Sequence, residues 1–158
     1  MTGDGLPEFC ATEDFGYGYV NFHDLSQPAT VTLYNNADKL IYTASTAADG
    51  AYTLSAPPGT GYTLVVTKPG YLSYTIKNLT LTEGEDIPTV DLRQLAGDID
   101  GNGVVNATDL TYLLSEFNRN PVNSAYPYAD IDGNGVVNAT DLTYLLAGFN
   151  KHDVEIIM

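Results

Sequence analysis

The 158-residue chain has one cysteine, no tryptophan, two methionines, two histidines and only six lysines and arginines. Each scarcity removes a class of function. A single thiol, Cys10, excludes an internal disulfide, and in a polar, glycine-containing segment it reads as incidental rather than reactive. Six basic residues against 20 acidic ones leave a formal charge of −14. That balance speaks against nucleic acid and anionic membranes as partners, because both reward basic surface. No run approaches the ~20 apolar residues that span a bilayer, so no membrane insertion is expected. Met1 to Cys10 lacks the basic-then-apolar layout of a signal peptide, which fits either a cytoplasmic chain or a fragment of a longer exported protein. His23 and His152 are isolated and neither a nucleophile elbow nor HExxH is present, so no enzyme is expected. Methionine only at positions 1 and 158 disfavours a calcium sensor, which opens a Met-rich groove.

What is present is a repeat. DIDGNGVVNATDLTYLL, from Asp98 to Leu114, returns unchanged from Asp130 to Leu146, an offset of 130 − 98 = 32 residues. After it the copies drift, Ser115-Glu116-Phe117-Asn118 becoming Ala147-Gly148-Phe149-Asn150. Seventeen identical residues in a row predict two copies of one local structure. Upstream, short runs rich in Tyr, Thr, Val and Leu alternate with turn signals such as Asn35-Asn36, Asp49-Gly50 and Pro69-Gly70. Thr30–Tyr34, Leu40–Thr46, Ala51–Ala56, Tyr62–Thr67 and Tyr71–Lys77 are predicted strands, and together they predict an antiparallel sandwich. The expected organisation is a lead-in over 1–15, an all-β immunoglobulin-like sandwich over 16–95, an all-α unit over 97–151 with repeats 98–118 and 130–150, and a tail over 152–158. No Pro- or Ser-rich linker lies between Asp91 and Gly97, so the two parts are expected to pack together. The apolar tail residues Val154, Ile156, Ile157 and Met158 are expected to fold back near the first repeat or the β part.

Numbered from Asp98, oxygen-bearing side chains fall at positions 1, 3, 5, 9 and 12: Asp98, Asp100, Asn102, Asn106 and Asp109. Gly103 holds position 6, and Val104 at position 7 offers only its carbonyl. The second copy supplies Asp130, Asp132, Asn134, Asn138 and Asp141, with Gly135 and Val136. Calcium takes about six to eight oxygens, alternate residues of a tight loop point inward together, and glycine at position 6 allows the turn. This is an EF-hand loop with Asp, not Glu, at position 12. The competing reading, Asp/Asn/Gly turns without metal, suits one such loop far better than two identical ones. Magnesium is disfavoured because it prefers fewer protein ligands. Two bound calcium ions are expected, and their removal is expected to loosen residues 97–151 while leaving the sandwich folded.

An ordinary EF-hand has a helix before its loop, but Pro127 spoils any helix entering the second copy. Loop then helix, Asp at position 12 and the duplication resemble the dockerin family over Gly97 to about Lys151, on the motif GDIDGNGVVNATDLTYLL. The segment DGAYTLSAPPGTGYTLVVTKPGY, Asp49–Tyr71, resembles carboxypeptidase-regulatory-like domains, and a sandwich fused directly before the repeats is similar to X-module–dockerin pairs. The resemblance implies a calcium-dependent module that binds a cohesin of a scaffoldin or cell-surface anchoring protein. It implies assembly into, or attachment of, an extracellular plant-polysaccharide-degrading cellulosome, with this chain a piece of a larger exported protein.

Helical spacing puts Leu110, Leu113, Leu114 and Phe117 on one apolar stripe, expected to pack on its twin Leu142, Leu145, Leu146 and Phe149. The opposite face then carries Thr108, Tyr112, Ser115 and Arg119, and Thr140, Tyr144, Ala147 and Lys151 in the copy. The resemblance implies partner contacts at Ala107, Thr108, Tyr112, Ser115 and Arg119, and at Ala139, Thr140, Tyr144, Ala147 and Lys151. The Ala-Thr pair resembles type I dockerins and the X-like neighbour type II, so the cohesin type stays open. An alternative function is carbohydrate binding on Tyr17, Tyr19, Tyr34, Tyr42, Tyr52, Tyr62, Tyr71 and Tyr74, weakened by the lack of tryptophan and by the usual place of strand tyrosines in cores.

Overall fold

The computed structural model describes residues 16–23, 28–47, 49–82 and 85–158; Cys10 and the expected lead-in lie outside them. In chain order the strands are β1 (Gly16–Asn21), β2 (Thr30–Tyr34), β3 (Leu40–Ser45), β4 (Ala51–Leu54), β5 (Gly59–Thr67), β6 (Gly70–Tyr71), β7 (Tyr74–Leu81), β8 (Val90–Asp91), β9 (Ala96–Asp98) and, at the C-terminus, β10 (Val154–Ile157). The helices α1 (Ala107–Ser115) and α2 (Ala139–Ala147) lie between β9 and β10.

Alternation along β2 and β5 puts Val31, Leu33, Leu64 and Val66 inward, all fully buried. They belong to a five-stranded sheet of order β10-β7-β5-β2-β3. A three-stranded sheet, β4-β1-β8, contributes Val20, Leu54 and Val90 from the other side. Gly18 sits opposite Tyr52 in that sheet because a Cβ there would collide with the Tyr52 ring.

Strand β9 pairs antiparallel with β6, Gly70 opposite Asp98, so the junction between the β part and the repeats is itself a strand of sheet. The same buried cluster runs on from Leu92 and Leu95 into Ile99, Val105, Leu113, Ile131, Val137 and Leu145. The apolar tail does fold back, but as β10, laid parallel on β7 with Val154 opposite Tyr74 and Ile157 opposite Lys77. Contact with the β part also explains where the repeats drift. At position 19 of the copy Glu116 becomes Gly148, whose Cβ would come within 2.6 Å of the Ala96 carbonyl oxygen.

Candidate metal loops and docking face

The two repeats interlock reciprocally. After α1, Asn118 turns left-handed at φ 63° and donates to Val137 O at 2.7 Å, while Val137 N donates to Arg119 O at 2.9 Å. After α2, Asn150 at φ 67° donates to Val105 O at 2.8 Å, and Val105 N donates to Lys151 O at 2.9 Å. Each pair maps onto the other by the 32-residue offset, so the units are related by an approximate two-fold axis. Asparagine suits the left-handed position better than any other residue except glycine.

In loop one the carboxylates of Asp98, Asp100 and Asp109 converge, one oxygen of each lying within 4.8 Å of the others; Asp130, Asp132 and Asp141 do the same in loop two. Backbone N–H groups hold them in place. Asn102 N and Gly103 N donate to the two Asp98 oxygens at 3.1 and 3.0 Å, and Ile99 N and Asn106 N donate to the two Asp109 oxygens at 2.9 Å each. Gly101, Gly103 and Gly135 turn at φ 72°, 90° and 94°, which a glycine reaches without strain. Asn106 and Asn138 have a task that ligand spacing alone did not reveal. Each caps its helix, accepting from Thr108 N at 3.1 Å and Thr140 N at 3.0 Å, with Asp109 and Asp141 closing the capping boxes. The position-12 carboxylate therefore locks the helix to the loop.

Electrostatics leave the loops short of positive charge. Burial, then the proximity of Asp100 and Asp109, pushes the Asp98 carboxyl up to about 6. Burial, with the charges of Asp132 and Asp130, pushes Asp141 up to about 6. Asp109 and Asp130 are raised too, burial again being the main cause. Asp130 Oδ1 is buried with no hydrogen-bond partner, an orphaned acceptor that a bound cation would satisfy. The antiparallel bridge between Val104 and His152 runs through Gly103 O and Val105 N, so the Val104 carbonyl is not consumed by it. The donor set is all oxygen and fits a hard divalent ion.

The helix faces differ from the expected ones. Leu113 and Leu145 are fully buried, but Leu114 and Leu146 stand 51% and 52% exposed. Tyr112 and Tyr144, expected outward, are half-buried: Tyr112 stacks on Tyr126 at 4.0 Å and Tyr144 on His23 at 3.5 Å. Asp109 is the reason. Its carboxylate must face into the loop, and at 100° per residue that places Leu113 and Glu116 inward beside it and turns Leu114 out. The exposed face consists of Ala107, Thr108, Thr111, Leu114 and Ser115, and of Ala139, Thr140, Thr143, Leu146 and Ala147 in the copy. Arg119 and Lys151 are exposed at the helix exits, Lys151 Nζ donating to Gln94 O at 3.2 Å. His23, isolated in sequence, packs between the two parts, its Nε2 on Arg93 O at 3.1 Å. Burial lowers its pKa.

Residues 96–150 match the family model of the dockerin type I domain. The chain carries a dockerin. Residues 26–94 match the carboxypeptidase regulatory-like domain, directly before it. Dockerin type I domains bind calcium, and the carboxylate clusters lie inside the matched segment. A comparison with curated proteins finds no match. Among solved structures, the chain is similar to a mutant type II cohesin–X-dockerin complex from Acetivibrio cellulolyticus altered at the N-terminal interface. The TM-score is 0.71 at 22% identity, covering 88% of this chain and 97% of the other. A second mutant of that complex, altered at the C-terminal interface, gives 0.69 at 22%, with the same coverage. At this identity the likeness concerns the fold: a β-rich part followed by a dockerin with two helices. Among the described residues no helix is long and apolar enough to cross a membrane. Of the eight tyrosines considered for sugar stacking, Tyr52, Tyr62 and Tyr71 are buried, and only Tyr17 and Tyr19 are prominently exposed.

Proposed function

We propose that the chain is a calcium-dependent plug that binds a cohesin through its dockerin, the β part acting as a fused X-module. Each loop takes one calcium ion. The ligands are Asp98, Asp100, Asn102, the Val104 carbonyl and Asp109 in the first loop, and Asp130, Asp132, Asn134, the Val136 carbonyl and Asp141 in the second. Asn106 and Asn138 act chiefly as helix caps. Three carboxylates against one divalent ion leave each filled loop at about −1, so filling relieves repulsion that opposes the packed state.

The observation that carries this reading is the pairing of two matched carboxylate clusters with two capped helices that repeat one outward face. Leu114 and Leu146, exposed between threonines, are the apolar anchors; the tyrosines expected there instead support the helices from behind. The domain bounds stay those expected from sequence, with β10 returned to the β part. A cohesin partner places the protein outside the cell, as part of a larger exported assembly.

The test is calorimetric titration of the full chain against type I and type II cohesins, with calcium and with chelator. Binding to either type that vanishes in chelator is expected. Calcium-independent binding, or none to any cohesin, overturns the reading.

A further inference from the structure

The two metal loops share a sequence but not an anchorage. Loop one begins inside the sheet, because Asp98 is the last residue of β9 and lies opposite Gly70 of β6. Its far side is held by Asp153: Asp153 N donates to Gly103 O at 3.1 Å, and Asp153 Oδ1 accepts from Ser73 N, in the β part, at 2.9 Å. One residue on, Val154 N donates to Ser73 O at 2.9 Å and β10 starts along β7. The same place in loop two, 153 − 32 = 121, is Pro121. Proline has no N–H, so Gly135 O cannot receive the bond that Gly103 O receives.

We propose that Asp153 is a positioning residue for the first metal loop, and that metal in this loop, rather than in the second, determines whether β10 closes the edge of the five-stranded sheet. The inference rests on the calcium reading of the loops. Filling loop one fixes Asp98 and Gly103 relative to each other, and with them the site onto which Asp153 docks. Emptying it leaves three carboxylates repelling one another, and Gly103 moves with the relaxing loop. β10 is only four residues long, parallel and at the edge, with Ile157 73% exposed. Besides this anchor it is held by its pairing with β7, by Asn78 Nδ2 donating to Met158 O at 3.1 Å and by the Lys77–Glu155 ion pair at 3.2 Å, all near the surface, and such an edge opens at low cost. Linkage is reciprocal: if metal favours the docked strand, the docked strand favours metal by the same factor.

Two measurements on the full chain test this. Calcium calorimetry should resolve two sites, and Asp153→Ala should weaken one of them by about 10-fold, the usual scale for loss of an outer-shell partner. Asp153→Asn, which keeps the acceptor for Ser73 N, should restore most of that affinity. Hydrogen exchange should show the Val154 and Met158 amides protected in calcium and exposed in chelator. In calcium they should be exposed in Asp100→Asn and still protected in Asp132→Asn. Equal protection in calcium and chelator, or equal loss in the two loop variants, overturns the proposal while leaving the calcium reading intact. Failure to bind calcium at all overturns both.

Discussion

Asp109 does three jobs with two oxygens, and the face of the helix follows from them. It joins the carboxylate cluster, accepts from Ile99 N, and closes the capping box through Asn106 N. The ligand spacing was legible in sequence because calcium loops require oxygens at fixed positions. The rotation of the helix was not, because a stripe drawn through leucines alone ignores that a buried aspartate must share the inward arc. Titration is the direct probe of these carboxylates. Asp98 and Asp141 titrate near 6 without metal, well above an ordinary aspartate, owing mainly to burial. A raised carboxyl pKa contributes stability that is full below the unfolded value and is lost as pH rises through the folded one. The chelated protein should therefore melt higher at pH 5 than at pH 7.5. Calcium affinity should run the other way, falling below about pH 6 as protons compete for the same oxygens. Thermal melts and calcium titrations across this range check both signs; a chelated protein that melts lower at pH 5 contradicts the first.

Among the elements, β2 and β5 were plain from alternating Val, Leu and Tyr, and both helices from apolar residues at i, i+3, i+4 and i+7 after each loop. Strands β8, β9 and β10 were not, being two to four residues long: their existence depends on partners remote in sequence, and β10 pairs with residues about 80 positions earlier. The tail was legible as apolar, yet only Val154 is partly buried while Ile156, Ile157 and Met158 stay exposed; the strand is placed by backbone pairing, for which a hydropathy argument gives no register. Truncation after Asp153 should lower the melting temperature by a few degrees, the scale of about 1 kcal/mol for a domain of this size, and bare the β7 edge. An unchanged melting temperature would show the strand to be energetically idle. Packing elsewhere is less forgiving. Leu113 and Leu145 are fully buried, so Leu113→Ala should cost about 2–5 kcal/mol in the calcium-loaded protein. The matched Leu145→Ala should cost at least as much, since Leu145 also packs on Gly97 at the junction with the β part. Chemical denaturation of the two variants checks the order.

Over the whole molecule the interlocked repeats present one surface twice, and the β part reaches both copies, the first at its loop, where β6 pairs with Asp98, and the second at its helix. His23 stacks on Tyr144 and Gln94 accepts from Lys151, whereas Tyr112 is covered by Tyr126 from the connection between the repeats. These contacts fall on the tyrosine side of α2 and leave Thr140 and Leu146 exposed, as Thr108 and Leu114 are on α1. An asymmetric partner can then dock in two orientations about 180° apart, one led by each helix, and overlap allows only one at a time. Where the copies differ outside the stacked tyrosines, as in Ser115 against Ala147, the difference is worth less than about 1 kcal/mol on a solvated rim. Thr108→Asp with Leu114→Asp should thus weaken binding less than 10-fold, and Thr140→Asp with Leu146→Asp should do the same, because the untouched face takes over. All four changes together should abolish binding. If the α2 pair alone destroys it, the partner also engages the β part beside His23 and Arg93, and the dockerin works in one orientation; if the α1 pair alone does, the β part obstructs the second copy. Calorimetry with a single cohesin distinguishes the three outcomes, provided calcium is saturating and circular dichroism shows each variant folded.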